Sequence, residues 1–281
     1  MPIDVVPLTP NIGAEIRGVD LRVDLDAGTV AAIRSAWLDH AVVLLRDQHL
    51  EKDDQIHFTT QFGEVGILAR PKQYRTSGHD DMPDGMMLIS NVRENGEPIG
   101  ALPDGEMMFH HDMLHADIPH AATLLYAVEI PSVGGNTLFA SGYAAYDTLP
   151  EDVRAPLEGQ KAFHHYNYGS VQKGDSKGTP AYSNSVHPVF RTHSETGRKA
   201  IYVNRLMTEG IVDMPTEQSS ALLERLFDHS ERAEFVYEHA WRTGDLLMWD
   251  NRCSMHARTD FPAGERRLLW RTTIASDERP Y

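Results

Sequence analysis

The densest set of potential metal ligands in the sequence is Met108-Phe109-His110-His111-Asp112-Met113-Leu114-His115. What it can do depends on its backbone. In an extended strand, residues i and i+2 face one side, so His110 and Asp112 share a face and His111 turns away. A histidine from elsewhere would complete two imidazoles and one carboxylate on one side of an octahedron. That arrangement suits non-heme Fe(II) and leaves three positions for co-substrate and oxygen. On a helix, His111 and His115 would instead align at i and i+4. The resulting His-Asp-x-x-His is close to a zinc-hydrolase pattern, with Asp where Glu acts as base. The shorter carboxylate changes the reach to the water, and Pro119 just downstream argues against a long helix. Taken alone, a His-x-Asp is most simply a pair of side chains bonded to their neighbours.

A second chemical segment runs from Gly244 to His256, through Leu246-Leu247-Met248-Trp249-Asp250-Asn251-Arg252-Cys253. A strand ends there in a polar turn and delivers His256. Arg267 and Arg271 follow, four apart and therefore on one face of a strand. Two cations on a buried face need anions, and guanidinium groups recognise carboxylates bidentately. The chain has 41 acidic residues against 26 Lys plus Arg, so pairing with Asp or Glu is the plainer account of that pair in isolation.

The elements that must position these groups are mostly short strands. Asp26 is expected to cap a helix through about His40, and Asp53 or Asp54 a second short helix stopped by Gly63. A further helix is expected over Thr216 to His229, and two short helical pieces between Ala144 and Leu157. Strands are expected at Val42–Arg46, Thr123–Ile130, Val186–Thr192, Ala200–Asn204, Ala233–Trp241, Leu246–Trp249 and Arg267–Ala275. Many short strands with few helices favour a β-sandwich or double-sheet barrel. Residues 1–281 read as one domain, with excursions over the site at about 66–106 and 164–185.

The net charge of −15 repels phosphate backbones and anionic lipid, so neither nucleic acid nor a membrane surface is expected as a partner. The lone cysteine, Cys253, cannot form an internal disulfide and reads as a small residue beside a strand end. Met1-Pro2-Ile3-Asp4 lacks the basic start and apolar run of a secretory leader, so a cytoplasmic location is expected.

Taken together, these residues resemble the taurine dioxygenase / 2,4-dichlorophenoxyacetate dioxygenase family of Fe(II)- and 2-oxoglutarate-dependent oxygenases. The likeness begins at Asn11-Ile12-Gly13-Ala14-Glu15-Ile16 and continues through Phe62-Gly63-Glu64, Phe109-His110-His111-Asp112 and Pro131-Ser132-Val133-Gly134-Gly135-Asn136-Thr137. It resumes at His187-Pro188-Val189-Phe190-Arg191 and Trp249-Asp250-Asn251-Arg252, ending with His256. The resemblance implies a mainly β fold with flanking helices, a double-stranded β-helix or jelly roll. It implies His110, Asp112 and His256 as iron ligands, Thr137 and Arg267 as the holders of 2-oxoglutarate, and Arg271 on the acidic group of the substrate. Trp249 falls near the metal, at a position open to self-oxidation. The same likeness implies a homo-oligomer, dimer or tetramer.

The chain departs from its relatives in places. Phe109 stands where a Trp is usual, and Val65-Gly66-Ile67-Leu68 holds no histidine where taurine dioxygenases carry one that contacts substrate. Ile89-Ser90-Asn91-Val92 is closer to the phenoxyacetate-type members, and Met107, Met108, Met113, Leu206 and Met207 suit an apolar wall. Substrate contacts are accordingly expected from Arg271, Asn91, Met113 and Leu206. The expected reaction uses O2 to hydroxylate a small anionic substrate, such as an aryloxyalkanoate or other apolar carboxylate, with release of succinate and CO2. Where the hydroxylated carbon bears a heteroatom, cleavage follows. The carboxylate of Asp112 favours hydroxylation over halogenation, which needs that position open to halide. A zinc hydrolase using His111 and His115, and a non-catalytic cupin-like binding protein, are the competing classes.

Overall fold

The computed structural model describes residues 3–67, 76–79, 82–101, 105–166, 170–173 and 183–281. The first half comprises β1 (Asp4–Pro7), β2 (Ala14–Arg17), α1 (Ala27–His40), β3 (Val42–Leu45), α2 (Lys52–Thr60), β4 (Met87–Ser90), β5 (Arg93–Glu94), β6 (Glu97–Pro98), β7 (Met107–His110), β8 (Ala122–Glu129) and β9 (Thr137–Ser141). The second comprises α3 (Gly142–Asp147), α4 (Glu151–Arg154), β10 (Lys161–Tyr166), β11 (Ser183–Pro188), β12 (Phe190–Thr192), β13 (Lys199–Ile201), β14 (Thr208–Ile211), α5 (Thr216–Ser230), β15 (Val236–His239), β16 (Leu246–Asp250), β17 (Ser254–Arg258) and β18 (Leu268–Ile274).

Seven strands form a large sheet in the order β1-β2-β3-β16-β8-β18-β4, and four form a second in the order β15-β9-β17-β7. Neighbours in space are mostly distant in sequence, because the chain crosses repeatedly from one sheet to the other. That is the jelly roll expected from the sequence.

Alternation decides which residues go where. Leu44, Leu125, Leu247, Trp249 and Leu269 turn inward, where they meet Phe139 of the smaller sheet and form the core between the two. Their neighbours Val43, Leu45, Leu124, Tyr126, Leu246 and Met248 turn outward and pack against Ile33 and Trp37 of α1 and Phe58 of α2. The large sheet is thus covered on both faces, which is why β3 and the Leu246–Trp249 part of β16 read as unbroken apolar runs.

The two N-terminal helices show how local chemistry sets boundaries. Asp26 caps α1 as expected, accepting from the Thr29 amide at 3.0 Å. The second helix starts earlier than the aspartates suggest. Glu51 is its cap, and Asp54 accepts from the Glu51 amide at 2.8 Å, so the two acids form a reciprocal box.

The expected excursions are only partly within the described residues. The first contributes β4, which pairs with β18 from Leu268↔Ser90 to Arg271↔Met87 and so belongs to the large sheet. The second opens on a hairpin, β10 with β11, in which Tyr166 faces Ser183.

Candidate active site

β7 and β17 lie side by side, with His256 opposite His110 in register. The imidazole centroids are 4.1 Å apart. The strand stops at His110, so the extended i, i+2 relation foreseen for His110 and Asp112 is not what joins them. Asp112 instead opens a turn that continues into Met113, whose φ of 56° is left-handed. The outcome is still a cluster: ligand atoms of His110, Asp112 and His256 all lie within 4.8 Å of one another.

Neighbours orient each of them. His110 Nδ1 donates to the Met108 carbonyl at 2.9 Å, which leaves Nε2 as the nitrogen with a lone pair. Asp112 Oδ2 accepts from Thr123 Oγ1 at 2.6 Å and forms an ion pair with Arg271 Nη2 at 2.8 Å. Asn251 Nδ2 in turn donates to Thr123 Oγ1 at 2.9 Å. Both contacts on Asp112 fall on Oδ2, and Oδ1 has no hydrogen bond among the described residues, so it is available to a cation. The His256 ring sits 4.8 Å from that of Trp249 and 6.2 Å from that of Phe139, and its buried Nδ1 meets no hydrogen-bond partner among the described residues.

Burial holds the histidines neutral. It lowers His110, and it pushes His256 down to about 3 with His110 adding to the effect. For Asp112 burial acts the other way, but the cation of Arg271 and then the two histidines outweigh it and keep the carboxyl below its usual range. Two neutral imidazoles, one carboxylate and an unpartnered ring nitrogen make a donor set that fits ferrous iron.

A pH dependence follows. His111 is likewise pushed down to about 3 by burial, then by His110. The unfolded chain takes up these protons near pH 6.5 and the folded one does not, so the folded state is favoured fully above about 6.5 and progressively less as pH falls toward 3. Each such histidine is worth up to about 1.4 kcal/mol per pH unit in that window. The urea midpoint of the metal-free protein should drop markedly between pH 7.5 and 5. A flat profile would mean that these rings are solvated.

Arg267 stands one residue before β18 and is 2 % exposed. The only hydrogen bond of its side chain among the described residues is a long one, Nη2 to the Gly135 carbonyl at 3.3 Å, and its Nε has none. No acidic side chain among the described residues pairs with it, in a chain with 41 of them. Burial, followed by the charge of Arg258, pulls its guanidinium below the ordinary value. The approach of Gly135 is required: a Cβ there would lie 3.2 Å from Nε, and the left-handed φ of +65° also favours glycine. Thr137, opposite Arg258 in register, accepts from Trp241 Nε1 at 2.9 Å, which leaves its own hydroxyl proton to donate elsewhere.

Residues 4–273 match the model of the taurine catabolism dioxygenase TauD, TfdA family. The chain belongs to that family. It is 31 % identical to the (S)-phenoxypropionate/alpha-ketoglutarate-dioxygenase of Sphingobium herbicidovorans, covering 98 % of this chain and 95 % of that one. It is also 31 % identical to the alpha-ketoglutarate-dependent 2,4-dichlorophenoxyacetate dioxygenase of Cupriavidus pinatubonensis, covering 99 % of each. Among solved structures, a taurine dioxygenase from Burkholderia xenovorans superposes with a TM-score of 0.82 at 34 % identity, over 99 % of this chain and 92 % of that one. AAD-2, solved with Mn(II) and N-oxalylglycine, gives 0.79 at 27 % identity, with full coverage of both. As a member of the TauD, TfdA family the protein is a dioxygenase dependent on Fe(II), 2-oxoglutarate and O2.

The remaining residues singled out in the sequence fall in several places. Arg271 reaches the site but is paired with Asp112 Oδ2, so part of its charge is already balanced. Asn91 is committed to backbone: Oδ1 accepts from the Arg267 amide at 2.8 Å and Nδ2 donates to the Glu265 carbonyl at 2.8 Å. It therefore steadies Arg267, and its amide has little left for a substrate. Leu206 lies with Leu114, Tyr202 and Met207 in an apolar cluster to which Met107, Met108 and Tyr166 are added, while Met113 is half-buried in the turn after Asp112.

The hydrolase reading does not survive this geometry. Residues 111–115 are not helical, and His111 is buried against Tyr202 with its Nδ1 3.2 Å from Asn204 Nδ2. His115 stacks on Tyr166 at 5.0 Å. Cys253 does lie within 4.8 Å of His193 and Asp250. Asp250, however, is filled by Arg252 at 2.9 and 2.7 Å and by His193 at 3.0 Å, and burial followed by Asp250 holds the thiol well above its ordinary range. That group is structural.

Nothing local in the sequence marks Thr123, Trp241 and Gly135 as partners of Asp112, Thr137 and Arg267. A threonine within an apolar strand gives no sign that a carboxylate from another element will meet it.

Proposed function

We propose that this dioxygenase hydroxylates a small organic acid with an apolar body, of the aryloxyalkanoate kind. The observation that carries the reading is Arg267, buried and without an acidic partner among the described residues, one residue before the strand that carries Arg271, whose guanidinium pairs with Asp112. An acidic protein that buries a cation uncompensated keeps it for an anion that arrives.

In this reading His110 Nε2, Asp112 Oδ1 and His256 hold the iron. With 2-oxoglutarate and O2 bound, that centre supplies the oxidant that hydroxylates a C–H bond while succinate and CO2 are released. The chain does the placing. Arg267 and the Thr137 hydroxyl take the far carboxylate of 2-oxoglutarate, and Asn91 keeps the Arg267 backbone in position. Arg271 holds the substrate acid close to Asp112. The Leu114, Tyr202, Leu206 and Met207 cluster keeps water from the apolar body. Names of relatives support the same class, since two of them act on phenoxy acids. Family likeness alone supports a cytoplasmic homo-oligomer; among the described residues no helix is long and apolar enough to cross a membrane.

The test is a panel of phenoxy acids, sulfonates and aliphatic acids, read by succinate release and product mass. Stimulation by aryloxyalkanoates above the others is expected. Succinate release that no acid stimulates would contradict the proposal.

A further inference from the structure

The chain enters β8 through Pro119-His120-Ala121, and His120 is 8 % exposed. Its enclosed Nδ1 meets no hydrogen-bond partner among the described residues. Burial, then the cation of Arg271, pushes the imidazole down to about 4 against the opposing pull of Asp112. The ring is therefore neutral at pH 7, carries one N–H, and feels the charges of Arg271 and Asp112.

Two other elements hold it there. A Cβ on Gly66 would come within 2.5 Å of His120 Cε1, 2.8 Å of Nδ1 and 2.6 Å of Thr273 Oγ1, so any larger residue at 66 would displace the imidazole. The Gly66 amide donates to the Thr273 carbonyl at 2.8 Å, which fixes that approach. Thr273 follows Arg271 by two on β18 and shares its face. The segment after Phe62-Gly63-Glu64 thus supplies no side chain of its own at Gly66, and a histidine from a different element occupies the space.

Arg271 has a reason to need help. Its Nη2 is already paired with Asp112 Oδ2 at 2.8 Å, so part of its charge is balanced before an acid arrives. We propose that His120 is a specificity-determining residue, whose neutral imidazole donates an N–H to the acidic group that Arg271 neutralises. This rests on the reading that the substrate is an acid held by Arg271. Arg271 supplies charge, and His120 supplies direction.

The experiment is calorimetric binding of (S)-2-phenoxypropionate, and of its uncharged amide, to protein loaded with Mn(II) and N-oxalylglycine. His120→Phe and His120→Leu remove the donor, and whichever keeps the wild-type N-oxalylglycine affinity serves. The acid should bind about 10–100-fold more weakly, as for loss of a hydrogen bond to a charged group, and the amide nearly as before. His120→Gln should recover part of the loss, and Gly66→Ala should reproduce it. Acid and amide falling together, or neither changing, would overturn the assignment. If Arg271→Met weakens the acid and the His120 variants do not, this inference alone fails. If Arg271→Met has no effect, or the wild type does not bind the acid, the acid-site reading fails with it.

Discussion

Asp112→Ala is expected to abolish acid-dependent succinate formation, by more than about 10³-fold, given that even an outer partner of a metal ligand is worth about 10–100-fold. The carboxylate is the only anionic member of the cluster. Without it, two neutral imidazoles would face a dication with no charge to offset its desolvation. The local balance also worsens, because Arg271 loses its ion-pair partner at 2.8 Å and its cation then opposes metal entry. Asp112→Asn separates charge from shape, since the amide oxygen can still accept from Thr123. It should fold like the wild type and still be inactive. Wild-type succinate formation by either variant would sink the assignment.

Arg267→Met is expected to raise the KM for 2-oxoglutarate by about 10²–10³-fold, in line with the 2–5 kcal/mol lost when one partner of a buried charge pair is truncated. A second expectation distinguishes this arginine from a structural one. A buried arginine that ties the fold together lowers stability when removed. Among the described residues the Arg267 side chain has only the long bond to Gly135, so methionine removes an uncompensated cation of similar length. The metal-free variant should therefore melt at the wild-type temperature or above it. An unchanged KM would move the 2-oxoglutarate contact to another cation. A large fall in melting temperature would mean that the Arg267 side chain ties the fold together.

Much of this was legible in the sequence because it is local. Asp26 announces α1, and the apolar runs of β3, β8 and β16 announce a sheet buried on both faces. The ligand segment and His256 stand out because histidines and carboxylates are costly to bury without work to do. What escaped depends on pairing between distant segments. β14, Thr-Glu-Gly-Ile, has neither alternation nor a long apolar run, and is a strand because β10 offers it an edge. Thr123 looks like any strand threonine until Asp112 arrives from a turn eleven residues earlier. Asn91 read as a substrate contact because its segment resembles that of relatives, while its partners, Glu265 and Arg267, come from the other end of the chain. His120 carried no signal at all, since its meaning depends on the absence of a side chain at Gly66.

The most direct test is equilibrium binding of 2-oxoglutarate under nitrogen, with and without Fe(II), for the wild type and Asp112→Asn. One Fe(II) per chain is expected in the wild type, with tight 2-oxoglutarate binding only when the metal is present. Asp112→Asn should lose both. Tight metal-independent binding, or a full complement of Fe(II) in Asp112→Asn, would contradict the assignment of His110, Asp112 and His256 as the metal centre.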